Sequence, residues 1–401
     1  MERREKYSGS YIELENGKVR GRVTVEGRTY SRTGKNMAEA KKLIRQCVKE
    51  VTCDGISGSM KVSEHIEYWL ENYKKPRDND EEQKRVKQKK GRVTAPTYTR
   101  MLSTYENQLK GSEAGRLLLR KQLKDVKIND VQMLINELEV KGYADTTVKK
   151  AQNLLSASFD IAIKEGYMKR NVALDAVRNG LEVEKKPILF KEDFITFIVK
   201  ALEVDEYGAS IYPYGAAHVF QLMTGMRSGE ILSLTWDDVD WDKKTVSISH
   251  SVARVKNFDA KDASDAKTRI FISGAKSESS VRTIPLNNSA ISALRVLYLR
   301  SKVIYNPFNL VVPTSKGFYL NPSKYNNALK VILKAAHLSN MSSHSLRHSC
   351  ISFLVNDEGC DIANVASLAG HSDIRVTLRY ANHSNDKKSV ITMNSLDKLV
   401  M

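Results

Sequence analysis

Five short motifs between residues 224 and 381 gather side-chain types suited to handling a phosphate. Thr224-Gly225-Met226-Arg227-Ser228-Gly229-Glu230 reads as a glycine turn feeding a helix that starts near Ser228. Arg227 then stands at a helix entrance, where unpaired backbone N–H groups also favour an anion. Lys276 occupies a polar turn, Gly274-Ala275-Lys276-Ser277-Glu278, between strand-like runs. In His344-Ser345-Leu346-Arg347-His348 the i, i+3 spacing sets His344 and Arg347 on one helix face. His371 follows Gly370 at an expected helix end, and Tyr380 lies in Thr377-Leu378-Arg379-Tyr380-Ala381. Taken singly, each has a plain structural reading: a capped helix, a solvated hairpin lysine, capping histidines, one tyrosine among 17.

Their sum is more specific. Two arginines, a lysine, two histidines and a tyrosine occur without clustered Asp or Glu. Metal-dependent phosphoryl chemistry needs carboxylates to hold Mg²⁺. A cationic set instead suits guanidinium forks closing on a pentacoordinate phosphorane. A tyrosine can then serve as nucleophile. Its ordinary pKa of about 10 leaves it protonated near neutrality, so neighbouring cations must lower the cost of the phenolate. Cys47, Cys53, Cys350 and Cys360 lack metal-ligand spacing and read as reduced structural thiols. A zinc centre on His344, His348 and His371 finds no completing carboxylate or cysteine at usual spacing. No metal or other cofactor is expected.

Three segments must position these groups. Residues 1–55 read as a small three-stranded β-sheet plus one helix, with strands at 11–15, 18–25 and 28–33 and the helix at 37–51. Asn16-Gly17 is a hairpin signal, and alternation along residues 19–25 separates Arg20 and Arg22 from the valines. Arg20, Arg22, Arg28 and Arg32 are read together as an open basic face that could enter a DNA groove, or simply as solvent-facing strand residues. Residues 61–181 read as helical, interrupted by a charged stretch over 74–92. Thr146 and Thr147 look like N-caps, which places Lys149 and Lys150 in a first turn, facing a phosphate or merely solvated. Residues 188–401 read as α+β, mostly helical, with a strand at 245–250 and a strand pair at 269–273 and 281–286. The formal charge of +17, from 64 Lys+Arg against 47 Asp+Glu, favours a polyanionic partner. No apolar run is long enough for a membrane span and residues 1–6 lack a signal-peptide core, so a cytoplasmic protein is expected.

The ordered set Thr-Gly-Met-Arg-x-Gly-Glu, Lys276, His-x-Leu-Arg-His, Gly-His and Tyr380 resembles the catalytic domain of tyrosine recombinases, the phage and transposon integrase family. The helical middle is similar to the family's core-binding domain, and residues 1–55 to its arm-binding module. The resemblance implies a site-specific recombinase that integrates and excises a mobile element. Tyr380 would form a 3′-phosphotyrosine, Arg227 and Arg347 would clamp the non-bridging oxygens, and Lys276 would protonate the leaving 5′-oxygen. It further implies that His344 assists proton transfer at the tyrosine, that His371 hydrogen-bonds the phosphate, that Glu230 orients Arg227, and that His348 is structural. Implied partners are double-stranded DNA, three further copies of the chain in a homotetramer, and an accessory directionality or DNA-bending factor. A chromosome-dimer resolvase, a type IB-like topoisomerase and a non-catalytic DNA-binding regulator are the alternatives. Residues 253–268 form an Asp- and Lys-rich insertion expected as a solvated loop, with contact to a partner protomer or to DNA as the alternatives, and residues 390–400 an apolar tail suited to docking on a neighbour.

Overall fold

The computed structural model describes residues 9–25, 28–52, 60–76, 93–180, 187–257, 266–274 and 281–381. The chain divides into two compact units, Met1–Val183 and Glu184–Met401. Among the described residues no helix is long and apolar enough to cross a membrane.

The first unit opens with an antiparallel sheet in the order β1 (Ser10–Glu13), β2 (Val19–Val25), β3 (Arg28–Gly34). Helix α1 (Met37–Thr52) packs on it, with Val23 and Ile44 buried between Tyr11 and Tyr30. Its start is fixed by Asn36, whose Oδ1 accepts from the Glu39 N–H at 2.9 Å. Gly21 is required there, because a Cβ would sit 2.4 Å from Ile44 Cγ1. The alternation holds for Arg20 and Arg22, which are exposed while Val19, Gly21 and Val23 are buried. Arg32 departs from it: the register pairs Arg32 with Gly21, so it belongs to the helix-facing side of the sheet and reaches solvent from there. Arg28 pairs with Val25 in the same register.

Among the described residues the α-helices that follow are α2 (Val62–Trp69), α3 (Ala95–Thr104), α4 (Glu113–Arg120), α5 (Ile128–Val140) and α6 (Asp145–Lys164). The predicted apolar face of α2 is buried, with Val62, Ile66 and Trp69 fully inside. Helix α6 begins at Asp145, earlier than the threonines suggested, and Ala144 supplies no side-chain cap. An aspartate in the first turn satisfies the macrodipole instead. Lys149 and Lys150 therefore sit one turn further in, both exposed.

In the second unit α7 (Lys191–Ala201) and the buried α8 (Gly215–Thr224) lead to the short α9 (Ser228–Ile231). Strands β4 (Val239–Asp240), β5 (Thr245–Ile248), β6 (His250–Lys256), β7 (Thr268–Gly274) and β8 (Arg282–Pro285) come next. Helices α10 (Asn288–Lys302), α11 (Pro322–Ala335), α12 (Ser343–Ser352), α13 (Ile362–Ala369) and α14 (Ile374–Leu378) complete it. The expected pairing of 269–273 with 281–286 is not what forms. β7 pairs with β6, and β8 pairs with β5 in a separate sheet ordered β4-β5-β8. The chain changes sheets at Ser249, and the strands on either side of residues 275–280 lie in different sheets. The expected loop at 253–268 also shrinks at both ends, since Ala253 to Lys256 and Thr268 are paired strand residues. The main core gathers Phe197, Phe220, Ile231, Val246, Ile284, Leu294 and Leu346, and a smaller cluster holds Ile351, Val355, Val365 and Ala369.

Candidate active site

Two left-handed helix ends shape the site. Gly225 (φ 64°) closes α8 and Gly370 (φ 67°) closes α13, a conformation glycine adopts without penalty. Each exposes a carbonyl that the helix no longer uses, and an arginine takes each one. Arg347, on α12 and 1% exposed, donates from Nη1 to Gly225 O at 2.8 Å and from Nη2 to Ala369 O at 2.7 Å. Arg227 donates from Nη2 to Gly370 O at 2.9 Å. The two ends of the motif series are thus tied to one another through guanidinium groups.

Glu230 is the hub beneath them. It is 4% exposed and accepts from Arg227 Nη1 at 2.7 Å and from the Arg227 backbone N–H at 2.8 Å. Arg282, from β8, grips the same carboxylate with a two-pronged pair at 3.1 and 2.9 Å and donates from Nε to Leu368 O at 2.8 Å. Burial alone would raise the Glu230 pKa, but the hydrogen bonds and charges of Arg282 and Arg227 outweigh it and hold the carboxyl below its usual range. Gly229 lets α9 lie against β6, since a Cβ there would meet Ser251 Oγ at 2.5 Å and Val252 O at 2.6 Å.

His371 links Arg347 to the segment that leads to Tyr380. Its Nε2 accepts from Arg347 Nη2 at 2.8 Å, so its Nδ1 carries the proton and donates to Thr377 Oγ1 at 2.8 Å. Burial, then the charges of Arg347, Arg227 and Arg282, push its pKa down to about 4. Tyr380 follows α14 and is half-buried, packed on the Ile351–Val365 cluster. Its hydroxyl is hydrogen-bonded to His348 Nδ1, and its backbone carbonyl accepts from Asn356 Nδ2 at 2.8 Å. Burial raises the pKa of Tyr380, while the charges of Arg347, Arg379 and Arg227 act in the opposite direction.

Arg227, Arg347 and His371 are joined through the carbonyls of residues 369 and 370 and the Arg347–His371 contact, and the charges of Arg347 and Arg227 act on Tyr380. His344 and Arg347 do not share one environment: Arg347 turns inward and His344 is exposed, edge-on to His348 at 4.4 Å. The tyrosine hydroxyl meets His348, the histidine assigned a structural part from sequence. Arg282 went unnoticed, because a single arginine in a short strand has no signature. A glutamate three residues after Arg227 was the available clue, since a buried carboxylate needs cations around it. Lys276 lies outside the described residues. Among the described residues no group of His, Cys, Asp or Glu could hold a metal ion. Cys47 and Cys350 are buried and Cys360 is exposed; Cys53 lies outside the described residues.

Residues 196–387 match the phage integrase family. Over those residues the chain is a tyrosine recombinase of that family. Relatives include a XerC-like tyrosine recombinase of Caldanaerobacter subterraneus subsp. tengcongensis, 26% identical over 76% of this chain and 78% of that one. The transposase of transposon Tn916 from Enterococcus faecalis is 26% identical over 72% of this chain and 73% of its own length. The integrase of Staphylococcus phage L54a is 25% identical over 70% and 86%. In fold, the recombinase resembles the Tn1549 transposon integrase bound to a circular intermediate DNA, with a TM-score of 0.63, 20% identity, and coverage of 84% of this chain and 100% of that one. Lambda integrase, solved as a dimer on a core site, gives a TM-score of 0.56 at 15% identity over 96% of this chain and 99% of that one. The mostly helical multidomain architecture read from sequence is the fold these proteins share.

Proposed function

We propose that the recombinase cuts and rejoins DNA by attack of Tyr380 on a backbone phosphate, leaving a 3′-phosphotyrosine and a free 5′-hydroxyl. One observation carries the reading. Arg227 and Arg347 both grip the backbone of residues 369 and 370, from which the chain runs through His371 to Tyr380. Clamp and nucleophile are thereby held in one frame, which is what an in-line displacement requires. Arg227, with 36% of its side chain exposed, keeps part of its fork open to a non-bridging oxygen. Arg347 supplies buried positive charge behind it, and His371 donates its Nδ1 proton to a phosphate hydrogen bond once its bond to Thr377 Oγ1 opens. Lys276 protonates the leaving 5′-oxygen, as the family resemblance implies. Because one phosphodiester replaces another ester of similar energy, no ATP is needed.

The target is double-stranded DNA with core and arm sites, and the role is integration and excision of a mobile element from the cytoplasm of its host. This follows the transposon- and phage-borne relatives. Residues 1–55 bind arm sites through Arg20 and Arg22, whose face of the sheet is free of α1, with Arg28 and Arg32 contributing phosphate contacts. Residues 61–181, including Lys149 and Lys150, bind the core site, and residues 188–401 catalyse. The working unit is a homotetramer, as seen for lambda integrase on a Holliday junction, assisted by a directionality or DNA-bending factor.

The test is a nicked suicide substrate carrying the element's end sequence, incubated in EDTA. The wild-type chain forms a covalent protein–DNA adduct, and Tyr380→Phe binds the DNA without forming one. An adduct from Tyr380→Phe, or a requirement for Mg²⁺, would overturn the mechanism.

A further inference from the structure

We propose that His348 is the base that takes the proton from Tyr380 during cleavage and returns it during rejoining. The inference rests on Tyr380 being the nucleophile. His348 lies on α12 directly after Arg347, half-buried, with its Nδ1 hydrogen-bonded to the Tyr380 hydroxyl. The two rings are 5.2 Å apart and inclined by 34°, so ring packing and the hydroxyl contact fix the same geometry. Asn356 pins the tyrosine from the other side through its backbone carbonyl at 2.8 Å. A group within hydrogen-bond reach of the proton it removes meets the first condition for a general base.

Arg227, Arg347 and His371 are unsuited to that task, and the hydroxyl contact of Tyr380 is with His348, not His344. Arg227 and Arg347 have no acceptor atom. His371 Nε2 already accepts from Arg347 at 2.8 Å, and the cations around it resist a further proton. His348 receives the Tyr380 proton on Nδ1, so its neutral ring carries hydrogen on Nε2. His344, edge-on at 4.4 Å, stands behind it on the next turn of the helix and restricts how the ring can turn.

The step balances without any added reactant. As the bond from Tyr380 Oη to phosphorus forms, the Oη–H bond breaks and its proton passes to His348 Nδ1. The bond from phosphorus to the 5′-oxygen breaks, and that oxygen takes a proton from the acid assigned to Lys276. On rejoining, the 5′-hydroxyl attacks, its proton returns to the lysine, and the imidazolium restores the proton to Tyr380.

The experiment uses the full chain and two suicide substrates, one with the normal 5′-oxygen and one with sulfur at that bridging position. Sulfur leaves without protonation, so it relieves the loss of an acid and not the loss of a base. His348→Ala should form adduct about 10²–10⁴-fold more slowly on both substrates. His348→Asn, which can accept the hydrogen bond but cannot take the proton, should be nearly as slow. Lys276→Ala should be slow on the oxygen substrate alone. DNA binding by mobility shift reports that each variant is folded. A His348→Ala or His348→Asn rate within about threefold of wild type overturns the proposal, because a general base is worth far more. So does rescue of His348→Ala by the sulfur substrate, which would put His348 at the leaving group. An adduct formed by Tyr380→Phe is a different failure, that of the nucleophile assignment itself.

Discussion

The molecule uses arginine in two opposite ways. In the N-terminal sheet Arg20 and Arg22 stand on an exposed face, in register with Thr33 and Ser31. In the second unit Arg347 and Arg282 are buried, and their donors are committed to carbonyls and to Glu230. An exposed guanidinium is free to meet any phosphate, and its contribution is screened by salt. A buried one arrives at the reaction already aimed and already desolvated. The first arrangement suits affinity and the second suits catalysis. The difference lies in what each arginine touches before DNA arrives.

The contrast breaks most sharply at Glu230. Glu230→Gln leaves Arg282 and Arg227 facing a neutral amide, and losing one member of a buried ion pair costs about 3–5 kcal/mol. Urea unfolding should show that loss at pH 7. The pH dependence has a defined sign. A carboxyl whose folded pKa lies below its unfolded value stabilises the fold above the unfolded value and loses that stabilisation as pH falls through the folded one. Wild type should therefore lose stability steeply below the ordinary carboxylate range, and Glu230→Gln should lose less over the same interval.

Gly370→Ala is a finer probe of the same region. The residue has φ 67°, and a Cβ would come within 2.9 Å of Arg282 Nη1. The left-handed backbone costs a non-glycine residue about 1–2 kcal/mol, and Arg282 must also shift. Thermal unfolding should record the loss, and adduct formation should slow because the Gly370 carbonyl orients Arg227.

The smallest effect belongs to the open face. Arg20→Ala with Arg22→Ala should leave folding and cleavage of a core-only substrate unchanged. Titration of arm-site binding against salt should give a slope shallower by about 2, since each phosphate contact contributes roughly 0.9. An unchanged slope would assign these arginines to solvent.

Much of this was legible in the chain. Val62, Ile66, Trp69 and the glycine turns predicted helices and their ends, because apolar periodicity and left-handed glycine are local properties. Arg227, Arg347, His371 and Tyr380 were legible because their order and spacing carry a family pattern. Arg282 was not, since nothing in Val281-Arg282-Thr283-Ile284 indicates that β8 crosses to β5 and brings its side chain to Glu230. The contact between His348 and Tyr380 was hidden for a related reason. Sequence spacing fixes which residues share a helix face, while the residue that meets Tyr380 depends on how α12 and the segment after α14 pack. The exchange of partners between β7 and β8 was hidden similarly, because two adjacent strand-like runs do not reveal which earlier strand each will join. Arg32 shows the limit of composition: it belongs with its neighbours by charge and apart from them by register.

Glu230 is gripped from residues 227 and 282, and Arg227 holds the Gly370 carbonyl 143 positions along the chain. Residues 227, 230 and 282 are all synthesised well before residue 370. Until residues 347 to 380 are made, neither the Gly370 carbonyl nor Arg347 exists, and Tyr380 comes last. On the proposed mechanism, a chain that ends before Tyr380 would carry the Arg227–Glu230–Arg282 group and lack the attacking hydroxyl.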